Sequence, residues 1–150
     1  MQSQQHVEKQ RILVEVQLST GANLFGYMYA GRGTRISDVL NDQRSFLPFE
    51  HVDGKTTLHA KSSILQVFEI CNVSHYSSHG DPYFVLGVRR TDEMTHIQQA
   101  FHQQISVCHP DHYLHRNPPQ SLIKVLADIS QRLNSAYQSI KSERRVTTDD

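Results

Sequence analysis

The residues with the most specific chemistry in this chain are His109, Pro110 and Asp111. They close a stretch, 97–108, in which Ile97, Ala100, Phe101, Ile105 and Cys108 recur at helical spacing. Pro110 has no N–H to donate and its ring clashes with the preceding turn, so the helix must stop there. It also drives His109 out of the α region. Asp111 is then expected on an exposed loop, where a carboxylate can accept the planar fork of a partner's arginine. An ordinary helix end with a proline stop is the plain alternative. His109, His112 and His115 also fall at intervals of three beside Cys108, which raises metal ligation. Pro110 breaks the helix between them and no second cysteine pair exists, so neither a metal nor a cofactor is expected. No Ser/His/Asp or Cys/His arrangement and no phosphate-cradling glycine loop is present, which argues against an enzyme.

Two further helices must hold this loop. A short one is expected over 82–86, with Pro82 in its first turn and Gly87 as its stop. A long one begins near Pro118 and Pro119 with Asn117 as cap. Leu122, Leu126, Ile129, Leu133, Ala136, Tyr137 and Ile140 give it an apolar seam at three-to-four spacing. At ~1.5 Å per residue, 119–141 spans roughly 34 Å, enough to lie antiparallel along the helix before the loop. Tyr83, Leu86, Phe101, Ile105, Leu133 and Tyr137 are expected in its core, and the hairpin is expected to survive Gln104, since one polar residue on the apolar stripe can snorkel.

The first half reads differently. Residues 11–18 and 24–30 alternate as strands, with Phe25, Tyr27 and Tyr29 sharing one face of the second. Gly26 in mid-strand predicts a bend or bulge. A helical turn follows at 35–41, then strands near 46–50, 56–60 and 64–70, with Pro48 favouring an edge and Asp53-Gly54 a hairpin turn. Five short strands in about sixty residues predict a small barrel, SH3-like or Sm-like in spacing. The division expected is a barrel module at 11–70, a polar linker at 71–80, a helical domain at 81–141 and a loose tail at 142–150.

Around the His-Pro-Asp loop stand Asp81-Pro82-Tyr83-Phe84-Val85-Leu86-Gly87-Val88 and Leu133-Asn134-Ser135-Ala136-Tyr137-Gln138-Ser139-Ile140. In order and spacing these resemble the J-domain of the DnaJ co-chaperone family over about residues 81–141. With the strands of the first half the chain is expected to be α+β, and the resemblance implies that its C-terminal part is a three-helix J-domain with an antiparallel helix hairpin. It implies docking on the ATPase domain of a DnaK-type heat-shock chaperone, whose ATP hydrolysis is accelerated. Asp111 would engage an arginine of the chaperone, Pro110 would fix the turn and His109 would orient the loop. In the family a row of lysines and arginines on the second helix meets an acidic chaperone surface. Here those positions are Gln98, Gln99, His102, Gln103, Ser106 and Val107, and no Lys or Arg falls between Thr91 and Asp111. Arg89, Arg90, His102 and Arg116 are the remaining candidates for that contact. Lost complementary charge predicts slower, weaker docking or a specialised partner, and an adaptor that no longer activates a chaperone is the second reading.

Composition narrows the partners. Fifteen basic residues balance fifteen acidic ones, seven of each sign in 1–70 and eight of each in 71–150. That balance argues against nucleic acid, although a small-barrel nucleic-acid binder is a third reading. Two cysteines, Cys71 and Cys108, make no disulfide framework, and no CxxC pair supplies the zinc module of larger DnaJ proteins. Polar, Gln-rich residues 1–10 carry no signal-peptide stretch, and no apolar run approaches a membrane span. The expected setting is cytoplasmic, with the first module recruiting a client or partner.

Overall fold

Alternation along the first strand decides which side of the sheet becomes a core. In a computed structural model describing residues 8–76 and 80–147, β1 (Lys9–Leu18) turns Ile12, Val14 and Val16 to one face. There they pack with Met28 and Ala30 of β2 (Asn23–Gly31). Ile36 and Val39 of the one-and-a-half-turn helix α1 (Ile36–Leu40) join them, with Leu47 and Phe49 of β3 (Phe46–His51). Removing each such side chain from water stabilises by about 1.5–3 kcal/mol. The Arg35 backbone N–H donates to the Asp38 carboxylate at 2.9 Å, which fixes the start of α1.

β4 (Thr56–Ala60) and β5 (Ile64–Asn72) complete an antiparallel sheet in the order β4-β3-β2-β1-β5. The sheet is open, which corrects the barrel expected from strand spacing. β4 and β5, joined by a single 3-10 turn at Lys61–Ser63, stand at its two edges instead of pairing with each other. Gly26 makes no bulge, for the β1–β2 ladder runs unbroken through Val14↔Gly26. Register shifts instead interrupt the β1–β5 ladder, at Leu13/Val14 and Gln17/Leu18. β3 is an inner strand, yet its ladder with β2 covers only Glu50 and His51. At Pro48 it is therefore paired on one side alone, a position that a residue without an N–H tolerates.

Of the aromatic face of β2, Phe25 and Tyr27 are buried and Tyr29 is exposed. Arg11 lies 3.7 Å over the Tyr27 ring and bonds Glu50 at 2.6 Å, while the Tyr29 hydroxyl donates to the other Glu50 oxygen. Lys61 bonds the Asp42 carboxylate and carbonyl at 2.7 and 2.8 Å, tying the entry of β3 to the exit of β4. Hydrogen bonds from Arg44 and then Lys61 hold the Asp42 carboxyl well below the ordinary carboxylate range.

The chain divides between Val73 and Ser74, inside the stretch expected to be a linker. β5 carries on through Cys71 and Asn72, and Tyr76 is buried; residues 77–79 lie outside the described residues. In the second unit, α2 (Pro82–Leu86) is capped by the Asp81 carboxylate, which accepts the Tyr83 N–H at 3.1 Å. It ends at Gly87 in the left-handed region, φ 65°. α3 (Met94–Cys108) and α4 (Gln120–Val146) run antiparallel: Phe101 stacks on Tyr137 with centroids 4.4 Å apart, and Ser130 bonds the Cys108 carbonyl. Tyr83, Leu86, Ile97, Phe101 and Leu133 are buried, while Ile105 and Tyr137 are half-buried. α4 continues past 141 to Val146, and the last three residues of the expected tail, 148–150, lie outside the described residues. The described helices include none long and apolar enough to cross a membrane.

Gln104 does not snorkel. Its amide nitrogen donates to the Leu86 carbonyl at 2.7 Å, and its amide oxygen accepts the Tyr76 hydroxyl at 3.1 Å. The Leu86 carbonyl is one that the end of α2 leaves without a helical partner. Replacing Gln104 by Ala removes both hydrogen bonds, so a loss of about 1–3 kcal/mol in unfolding free energy is expected by chemical denaturation. No loss would show that water reaches both groups.

Candidate functional site

The loop after α3 is built on backbone hydrogen bonds. His109 is extended, φ −71° and ψ 130°, and its N–H still donates to the Ile105 carbonyl at 2.9 Å. Pro110–His112 then form a 3-10 turn, in which the Tyr113 N–H reaches the Pro110 carbonyl at 3.0 Å. The His109 ring folds over this turn, and its Nδ1 accepts the Asp111 N–H at 3.3 Å. An accepting Nδ1 is the neutral tautomer with its proton on Nε2. The Asp111 carboxylate lies 3.6 Å from that nitrogen and is 76% exposed, against 45% for His109. The backbone at Asp111 is thereby fixed while its carboxylate faces outward.

Two side chains missed in the sequence steady the loop. The Tyr113 hydroxyl donates to the Val107 carbonyl at 3.1 Å, folding the loop back on α3. The buried Ser130 hydroxyl of α4 donates to the Cys108 carbonyl at 3.3 Å, anchoring the last turn of α3. No local pattern marks either residue. Asn117, expected to cap α4, instead ends a second 3-10 turn (Leu114–Arg116) in the left-handed region, φ 47°, and Pro119 occupies the cap.

The structure groups His109, Pro110, Asp111 and, one 3-10 turn further on, Arg116, which bonds the His115 ring at 3.4 Å. Arg89 and Arg90 stand at the other end of α3, roughly 22 Å away along its 15 residues. Arg90 bonds Glu143 at 2.9 Å and Asp81 at 3.3 Å and lies over the Tyr83 ring, so it ties that end of the unit together. His102 is exposed on α3 beside Phe101. Around it Gln98, Gln99, Gln103, Ser106 and Val107 are all exposed, an outward face without Lys, Arg, Asp or Glu. Among the described residues no cluster of three His, Cys, Asp or Glu is arranged to hold a metal ion.

Known proteins bear on part of the chain. Over 60 residues the chain resembles co-chaperones. It is 33% identical there to the co-chaperone protein DjlA of Photorhabdus laumondii, a match covering 40% of this chain and 22% of that protein. The DjlA proteins of Salmonella typhimurium and Escherichia coli K12 are 32% identical over the same length and share. The chain thus spans about a fifth of the length of the curated relatives it matches. No family model and no solved structure matches it. The similarity is local, and it supports a co-chaperone family for part of the chain.

In chemical terms, the loop offers an exposed carboxylate and an imidazole already engaged with the backbone. An exposed carboxylate of this kind can accept a cationic fork. In the sheet unit, Arg11 is paired with Glu50, and Arg44 and Lys61 with Asp42.

Proposed function

We propose that the chain is a J-domain co-chaperone. On this reading residues 81–141 form a three-helix J-domain with an antiparallel hairpin. His109, Pro110 and Asp111 dock it on the ATPase domain of a DnaK-type chaperone and accelerate ATP hydrolysis. The chain itself catalyses nothing; it works in the cytoplasm, and the sheet unit recruits a client or partner. The supporting observation is the Asp111 carboxylate, presented outward by a turn that the His109 ring and Tyr113 hold. The local similarity to DjlA co-chaperones supports the same reading.

The test is single-turnover ATP hydrolysis by the host's DnaK-type chaperone, with wild-type protein and with His109→Gln. Stimulation by the first and only the basal rate with the second is the expected result. The uncharged outward face of α3 favours one competing reading, a J-like adaptor that does not activate a chaperone. Its signature is an absence of stimulation by the wild-type protein.

A further inference from the structure

Two imidazoles of the sheet unit converge on one oxygen. His51 at the end of β3 and His59 on β4 each place Nε2 2.8 Å from the Thr57 hydroxyl. The two nitrogens are therefore no further apart than twice that distance. The hairpin register produces this: Phe49 faces Thr57 and Leu47 faces His59, so Phe49, His51, Thr57 and His59 share one side of the ribbon. Phe49 meets both rings edge-on, at 5.0 and 5.8 Å between centroids, and is itself buried. The rings are thus oriented by strand backbone and a core side chain, while Thr57 is exposed to solvent.

Thr57 has one hydroxyl proton and cannot donate to both rings. At least one imidazole must therefore carry its proton on Nε2 and donate to the hydroxyl, which can accept from both. We propose that His51 and His59, with Thr57 between them, form a binding site for one divalent transition-metal ion of the zinc, nickel or copper class. Imidazole nitrogen suits these ions, at metal–nitrogen distances of about 2.0–2.1 Å. The ion takes the place of the shared hydroxyl contact. Binding requires only that each ring donating through Nε2 move its proton to Nδ1, so that both Nε2 lone pairs face the metal. Water fills the remaining positions, and the Thr57 oxygen is near enough to serve as a third donor.

The charges nearby sit on the hairpin turn, where Lys55 and Asp53 lie 3.7 Å apart. The site uses none of the residues of the docking loop. It departs from the sequence expectation of no metal, because the histidines singled out there were His109, His112 and His115.

The experiment titrates the whole chain with Ni(II) and with Zn(II), following histidine ring protons by NMR and the thermal midpoint by melting. The expected result is that His51 and His59 signals broaden with Ni(II) before those of other histidines and saturate at one ion per chain. Both ions raise the midpoint of the wild-type protein, and neither does so for His51→Ala or His59→Ala. Thr57→Val lowers affinity about tenfold, as loss of a supporting contact does in other metal sites. First response at His109, His112 or His115, or wild-type affinity in either alanine variant, overturns the proposal. The wild-type NMR titration decides it even where a variant folds poorly.

Discussion

Asp111→Asn is expected to bring ATP hydrolysis by a DnaK-type chaperone back to its unstimulated rate while leaving the thermal midpoint of the chain unchanged. Asparagine keeps the shape of the side chain and the N–H that His109 accepts. What it loses is the charge that makes an arginine fork bind strongly. Removing one partner of such a pair, once docking has desolvated it, costs about 2–5 kcal/mol. Each ~1.4 kcal/mol is a factor of ten in binding, so saturation is lost at ordinary concentrations. In the free chain the carboxylate is 76% exposed, and an exposed substitution of this kind stays within about 0.5 kcal/mol. Single-turnover hydrolysis and a thermal melt on the same preparation separate the two effects. Stimulation equal to wild type would refute a role for the carboxylate, and a lowered midpoint would assign the loss to folding. The bare face of α3 affects a different step, since missing rim charge slows encounter more than it weakens the docked state.

The turn that ends α3 was legible because its determinants are local. Pro110 stops a helix wherever it stands, and the alternating apolar residues of β1 and β2 identify a buried face without reference to the rest of the chain. The features that escaped are non-local. Gln104 shows only as a polar residue in an apolar stripe, while its partners Leu86 and Tyr76 lie 18 and 28 positions away. Whether a sheet closes depends on whether its last strands meet, and strand spacing carries no information about that; here β4 and β5 stay at opposite edges. His51 and His59 are unremarkable as a pair until the hairpin register sets Phe49 opposite Thr57 and so brings both rings to one hydroxyl. Tyr113 and Ser130 hold the loop through backbone carbonyls, which any sequence possesses.

Gly26→Ala is expected to destabilise the sheet unit by as much as the upper part of the ~1–3 kcal/mol range for overpacking, or beyond it. The reason is bulk, since Gly26 is not among the glycines with positive φ. A Cβ there would stand 2.2 Å from the Glu50 carbonyl oxygen and 2.7 Å from the Phe49 ring. A flexible side chain could swing aside, but the oxygen belongs to the backbone of β3. Relief therefore requires β2 and β3 to separate, and their ladder consists only of Gly26↔His51 and Tyr27↔Glu50. Separation would also uncover Leu47 and Phe49, which β3 contributes to the core. Chemical denaturation followed by amide NMR signals of β3 and β4 measures the loss where it is expected. A change of only a few tenths of a kcal/mol would mean that β3 shifts freely, and that its spacing from β2 is not what sets Phe49 against the two histidines.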